Sequence, residues 1–359
     1  MQPYDALVLV GFGGPEAPGE VIPFLRRVTA GRAVPDERLA EVARHYHHVG
    51  GRSPINDQNR ALLAALRAEL DARGDDLPVF WGNRNSAPWL ADALREAYAA
   101  GHRRLVAVTT SAYACYSSCR QYRENLADAV AELAVDGVEL TVDKIAPYAP
   151  RPGFAHANLE RLVGSMRVLD GTPDEQIALL FVTHSIPTGM DRTSGPGGGA
   201  GELYRRQHLA LAATLTEQSN RILRRQLVGE LVFCSRSGSP AQPWLEPDVN
   251  DRLGQLAEAG IGTVVLAPVG FVSDHMEVVY DLDTEAAATA GRLGMRLVRV
   301  PTVGTLPTFV HDLVDAVADR AGEARGEPVA DFPGRMPSVC APGCCRNPRG
   351  ARPALCGRD

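Results

Sequence analysis

Thr263-Val264-Val265-Leu266-Ala267-Pro268-Val269-Gly270-Phe271-Val272-Ser273-Asp274-His275-Met276-Glu277-Val278-Val279-Tyr280-Asp281-Leu282-Asp283-Thr284-Glu285 reads as an apolar strand, a short loop and the start of a helix. A run apolar at almost every position suits a parallel strand buried on both faces. On the helix, Glu277, Asp281 and Glu285 are spaced four apart and share one face. Like charges repel at that spacing, and no basic residue lies between Asp274 and Glu285 to offset them. A stripe of acids at the C-terminal end of a strand costs folding energy unless cations or protons visit it.

The same strand-then-helix pattern repeats outward from this stretch. Strand-like runs at 6–10, 77–81, 105–109 and 138–142 alternate with helical patterns near 20–28, 36–47, 54–72, 89–99 and 118–134. A second series has strands near 177–183, 227–234, 263–268 and 296–300, with helices near 153–169, 201–223, 248–259, 277–289 and 306–320. The expected fold class is α/β: two similar doubly wound, Rossmann-like domains, each with a parallel four-stranded sheet. The expected boundaries are 1–150, 151–321 and a Cys/Pro-rich tail, 322–359, with the joint near the prolines 147, 150 and 152. Whether the last helix packs back on the first domain is left open.

Hydrophobic residues make up 45% and charged residues 22% of the 359 residues, as in an ordinary globular protein. A net charge of -6 without a long basic run argues against a nucleic-acid surface. No stretch reaches 18 apolar residues and the start lacks a secretory leader, so no integral membrane association and a cytoplasmic location are expected. There are seven cysteines: Cys234 within a strand, Cys115 and Cys119 after another, and Cys340, Cys344, Cys345 and Cys356 crowded near the C-terminus. In a cytosolic chain such crowding points to a metal or iron–sulfur site before disulfides.

Ligands of open α/β sheets bind beyond the C-terminal strand ends. Four segments are expected to converge there: Gly11-Phe12-Gly13-Gly14-Pro15, Thr110-Ser111-Ala112-Tyr113, Thr183-His184-Ser185-Ile186-Pro187 and the acidic segment. The glycines match neither GxGxxG nor a Walker A loop, so a tight turn or close approach of a flat ligand is favoured over phosphate binding. His184 ends an apolar run. A neutral imidazole paired with Glu277 suits either a proton acceptor near neutrality or a ligand to a divalent metal; the plain alternative is a structural histidine. Asp274 stands where a helix cap would, with Glu277 three residues on as in a capping box. Ser53 precedes Pro54 at a helix start. Trp81, Asn83, Arg84, Trp89, Tyr113, Tyr122 and Arg123 supply aromatic and cationic groups that suit a large planar acid.

With these segments in view, the chain resembles the ferrochelatase family from about residue 4 to 320. The resemblance rests on Val182-Thr183-His184-Ser185-Ile186-Pro187 and on residues 268–283, with support from Gly50-Gly51-Arg52-Ser53-Pro54-Ile55 and Gln121-Tyr122. It implies a chelatase-like fold and a lyase that inserts ferrous iron, as substrate, into a porphyrin for heme biosynthesis. His184 and Glu277 would then be the metal-handling pair, Asp274 and His275 their supports, and Asp281 with Glu285 a path for cations or protons. Ser53, Tyr122 and Phe12 would lie on the porphyrin side. Many small bacterial relatives carry Tyr where this chain has Phe12, and an arginine pair near Thr29-Ala30, where the nearby cations here are Arg26, Arg27 and Arg32.

The resemblance also extends to relatives, including actinobacterial ones, that hold a [2Fe–2S] cluster. Cys119 would be the internal ligand, with three more drawn from Cys340, Cys344, Cys345 and Cys356; zinc or free thiols are the alternatives. The expected porphyrin is coproporphyrin III, with protoporphyrin IX the alternative. A cobalt or nickel tetrapyrrole chelatase and a non-catalytic heme-binding protein are the competing functions. The expected state is a monomer in transient contact with neighbouring heme-pathway enzymes.

Overall fold

A computed structural model describes residues 1–31, 34–197, 199–237 and 242–358; Arg32 lies outside them. The first sheet contains β1 (Ala6–Gly11), β2 (Val79–Asn83), β3 (Arg104–Thr109) and β4 (Thr141–Lys144), in the order β2-β1-β3-β4. The second contains β5 (Ile177–His184), β6 (Gly229–Cys234), β7 (Thr263–Ala267) and β8 (Arg296–Arg299), in the order β6-β5-β7-β8. Every pairing is parallel, and the two orders are the same. The two four-stranded α/β units foreseen from the pattern are therefore present. β4 begins later than the apolar run at 138–142 suggests, pairing Arg104 with Thr141.

The helices are α1 (Val21–Val28), α2 (Asp36–His48), α3 (Ile55–Ala72), α4 (Leu90–Ala99), α5 (Gln121–Val135), α6 (Pro152–Met166), α7 (Thr188–Arg192), α8 (Leu203–Leu223), α9 (Val249–Glu258), α10 (Met276–Val278), α11 (Ala287–Arg292) and α12 (Pro307–Arg325). Two stretches, Tyr116–Arg120 and Val279–Ala286, are wound as wider π-helical turns. The acidic stripe therefore does not ride on one continuous α-helix. In α geometry four residues slightly exceed a turn; in π geometry, with its i→i+5 bonds, they fall short of one. The stripe stays on one side.

Alternate positions of the strands feed different cores, as the two-residue strand period requires. Leu7 and Leu9 of β1 join Leu179 and Phe181 of β5 in one core that runs between the sheets and takes in Phe154, Phe309 and Val317. Ala6, Val8 and Val10 face α4 and α5, while Leu180, Val182, Val264 and Leu266 face Phe271, Leu282 and Ala286. α12 closes this core from outside against both α3 and α6. Arg73, just after α3, bonds Asp315 on α12 at 2.6 Å, and Arg151 bonds Asp312 at 2.9 Å. The last helix thus packs on both lobes.

The tail is held by hydrogen bonds and packing. Cys340 donates its N–H to Cys356 O at 3.0 Å, and Leu355 donates to Arg123 O at 3.1 Å. Arg120 reaches Arg352 O at 2.9 Å, and Asn347 donates to Glu124 at 3.1 Å. Cys340, Cys344 and Cys345 pack with Ala114 in a small apolar cluster. These contacts correct the iron–sulfur expectation. Among the described residues, no group of three or more His, Cys, Asp or Glu side chains is disposed to hold a metal ion. The sulfur of Cys345 accepts the Gly195 N–H at 3.3 Å, and that of Cys356 turns to Val142 O at 3.5 Å. Hydrogen bonding to Cys340 and burial push the Cys119 thiol up. The Cys344 pKa, lowered by its hydrogen bond to Cys340 but raised by that to Cys345 and by burial, stands at about 12. Burial takes Cys356 to about 11. Cys119, Cys344 and Cys356 are thus held as thiols.

Candidate active site

β5 ends at His184, whose Nδ1 donates to the Ser185 carbonyl. A carbonyl only accepts, so Nδ1 carries a proton, and in the neutral ring Nε2 then presents a lone pair. That lone pair faces Glu277 Oε2 at 3.5 Å, with the side chains 30% and 47% exposed. Two acceptors this close need a proton or a cation between them.

Glu277 owes its position to the turn that follows β7. His275, not Asp274, caps the new helix: its Nδ1 accepts the Glu277 N–H at 3.2 Å. Burial holds His275 below the ordinary imidazole range, which keeps this acceptor available. Asp274 instead pairs with Arg299 at 2.7 Å, and Arg299 also reaches Asp283 at 3.0 Å. The segment, which has no basic residue of its own, thus borrows one from the end of β8. Arg299 leaves the stripe itself bare: among the described residues, no cation pairs with Asp281 or Glu285.

Asp281 accepts a hydrogen bond from Ser235, the residue after β6. Burial, with the charges of Glu277, Glu285 and Asp248, raises its pKa to about 7 against the lowering pull of Ser235. Burial and Asp248 also raise Glu285. In this series of acids Asp281 and Glu285 are both raised, and Asp281 stands near neutrality.

The first lobe faces this series with an aromatic wall. Phe12, Phe24, Tyr46, Met276 and Tyr280 belong to one cluster, so the ends of β1 and β7 do meet. The Phe12 and Phe24 rings lie 6.2 Å apart. Burial, followed by the charges of Glu277 and Asp281, keeps the Tyr46 phenol protonated. His45 on α2 stacks on Tyr280 with centroids 4.0 Å apart. Arg84 lies 5.5 Å over Phe12 and 4.4 Å over Tyr122, and donates to Asn125. Tyr122 is thereby covered by a guanidinium. Ser53 is buried beside Gly14, and its N–H donates to Pro15 O at 2.9 Å. Arg27 sits 5.2 Å over the exposed Trp89.

The glycine loop is a tight turn. A Cβ on Gly11 would meet Asn59 and Asn83 at 2.4 Å, and Gly13, at φ 82°, would meet Ser86 Oγ at 2.5 Å. The space is taken by the protein's own side chains, leaving no cradle for phosphate. Sequence reasoning did not single out Ser235, Arg299, Tyr46, His45 or Tyr280 as site residues. Ser235 was within reach of the strand-end rule applied to β6. Arg299 was visible only as a strand-terminal cation, and α2 carried no signal of facing the cleft.

The ferrochelatase family profile matches residues 4–321. A coproporphyrin III ferrochelatase of Leifsonia xyli is 49% identical over 374 residues, covering 99% of this chain and 94% of that protein. One of Streptomyces coelicolor is 50% identical over 364 residues, covering 99% and 97%. Among solved structures, SirB from Bacillus subtilis with Fe3+ aligns at a TM-score of 0.52 and 12% identity, covering 89% of this chain and 97% of that one, a likeness of fold alone. Among the described residues, no helix is long and apolar enough to cross a membrane. With the profile spanning residues 4–321 and relatives at 49% and 50% identity covering 99% of its length, the chain belongs to the ferrochelatase family.

Proposed function

We propose that the protein inserts ferrous iron into coproporphyrin III, forming the iron porphyrin and releasing two pyrrole protons. The observation that carries this reading is the His184–Glu277 pair, two facing acceptors 3.5 Å apart at the C-terminal ends of neighbouring strands. Metallation exchanges two N–H protons for one divalent ion, so charge balances only if a base takes each proton as the ion enters. His184 and Glu277 hold the incoming ion with two ligands. That is fewer than a closed structural site uses and leaves room for pyrrole nitrogens. Asp281, poised near neutrality, receives protons from Glu277 and passes them toward Glu285.

The porphyrin lies between this pair and the wall of Phe12, Phe24 and Tyr46. Phe12 packs there as an apolar face with no oxygen to offer the metal. Arg84 and Arg27, lying over aromatic rings, meet the carboxylates of the ligand. Ser53 and Tyr122, both buried, support that wall. The choice of coproporphyrin III follows the names of the relatives at 49% and 50% identity, and a four-carboxylate ligand suits these cations.

The test supplies purified protein anaerobically with ferrous iron and either coproporphyrin III or protoporphyrin IX, following metallation optically. Faster turnover of coproporphyrin III is expected. Preference for protoporphyrin IX would overturn the substrate, and turnover of neither would overturn the activity.

A further inference from the structure

Behind His184 lies a buried polar column that the function above leaves unused. His208 on α8 is fully enclosed, and burial lowers its pKa to about 3. It is neutral, with a single N–H to place. Its Nδ1 lies 2.8 Å from the Tyr204 carbonyl, which can only accept. The proton is therefore on Nδ1, and Nε2 is an acceptor. The Thr183 hydroxyl, 2.8 Å away, must donate to it. Having donated its proton, Thr183 Oγ1 offers only lone pairs to the Tyr204 hydroxyl at 2.9 Å. The other neighbour of that hydroxyl is the His184 carbonyl, also at 2.9 Å. Both neighbours accept, so the one Tyr204 proton is shared between Thr183 Oγ1 and the His184 carbonyl.

The first lobe braces the column. Tyr113, after β3, stacks on His208 with centroids 3.6 Å apart and planes 13° apart. Its hydroxyl donates to Val269 O at 2.7 Å. Gly270, next in the chain, donates its N–H to Val182 O at 3.1 Å. A Cβ there would lie 2.1 Å from Thr183 Oγ1, so this close approach needs glycine. β5, β7 and α8 are thus locked around Thr183, one residue before His184.

We propose that Tyr204 and His208 are positioning residues for His184: with Thr183 turned to His208, the Tyr204 hydroxyl is left as the donor held between Thr183 and the His184 carbonyl, and this tie to α8 fixes the backbone from which the imidazole reaches Glu277. This rests on the role given to His184 under the proposed function. A displacement of about 1 Å in a reacting group costs about 10²-fold, and His184 is the neighbour of this column to which the proposed function gives a place in the reaction.

Tyr204→Phe keeps the ring and removes the hydroxyl. The expected result is a fall in kcat of about ten- to a hundredfold, a raised KM for ferrous iron, and an unchanged KM for the porphyrin, which the other lobe binds. His208→Gln keeps an acceptor for Thr183 and retains more activity than His208→Leu. Spectra of 15N-labelled histidine give a readout independent of turnover: His184 is a single Nδ1–H tautomer in the wild type and a mixture in Tyr204→Phe. Unchanged kcat in folded Tyr204→Phe overturns the proposal. So does a loss of kcat with unmoved His184 resonances, which assigns the effect to general destabilisation. If the wild-type protein metallates no porphyrin, the function falls, and the His184 resonances alone decide the positioning role.

Discussion

His184 Nε2 and Glu277 Oε2 face each other at 3.5 Å, although one ends β5 and the other lies in the helix that follows the turn after β7. Both atoms are acceptors in the tautomer set by Ser185. The pair is a gap shaped for a proton or an ion, and each partner is exposed enough to be replaced without emptying a core.

His184→Ala and Glu277→Gln should each lower metallation by about 10²-fold or more while leaving the thermal midpoint nearly unchanged. Anaerobic turnover alongside thermal unfolding checks both halves. Full activity in either variant removes that residue from the reaction.

Asp281 yields a prediction in pH. Its folded pKa, about 7, stands above the ordinary 3.8. The folded protein therefore holds this proton where the unfolded chain has lost it. The resulting stability is complete below about pH 4 and is lost as pH rises through 7. Activity should run the other way, rising toward pH 7 as the carboxylate becomes free to accept. In Asp281→Asn the difference in thermal midpoint from wild type should change across that window; a constant difference would refute the assignment.

Arg299 joins Asp274 and Asp283 to the end of β8. Arg299→Gln strands two carboxylates beside the acidic stripe and should cost roughly 1–3 kcal/mol. Denaturant unfolding measures it, and Asp274→Asn in the same background should recover part of the loss. Full additivity of the two changes would show that the pair is not coupled.

The thiols of Cys344 and Cys356, with pKa values of about 12 and 11, should resist alkylation at pH 8 in the native protein and react on unfolding. Rapid native labelling at either would contradict the packed tail.

Much of this is legible in the sequence alone. Strands such as β5 and β7, buried on both faces, read as unbroken apolar runs, and the convergence rule then places His184 and Glu277 at neighbouring strand ends. The edge strand β4 was misjudged because Val138-Glu139-Leu140 is apolar enough to look like strand, yet pairing with β3 begins at Thr141. Asp274 was credited with a cap because Asp commonly serves as one; His275, whose ring folds back onto the Glu277 N–H, does so instead. The cysteine spacing suggested a cluster because proximity in sequence resembles a ligand set. In the fold, Cys345 and Cys356 turn to Gly195 and Val142, and the tail is fastened through Arg120, Arg123 and Glu124.

The order of apolar runs by itself determined two parallel α/β sheets, and the acids at 277, 281 and 285 by themselves set a stripe of like charge beyond one strand end, where a cation or a proton is the expected visitor. These follow from local periodicity and like-charge repulsion, which need no third dimension. Only the tertiary structure decided which base faces which, that burial and three neighbouring carboxylates bring Asp281 near neutrality, that Arg299 balances Asp274, and that α2 supplies the opposite wall. Each depends on distances between segments far apart in the chain, where desolvation and Coulomb energies are set by packing rather than by sequence spacing.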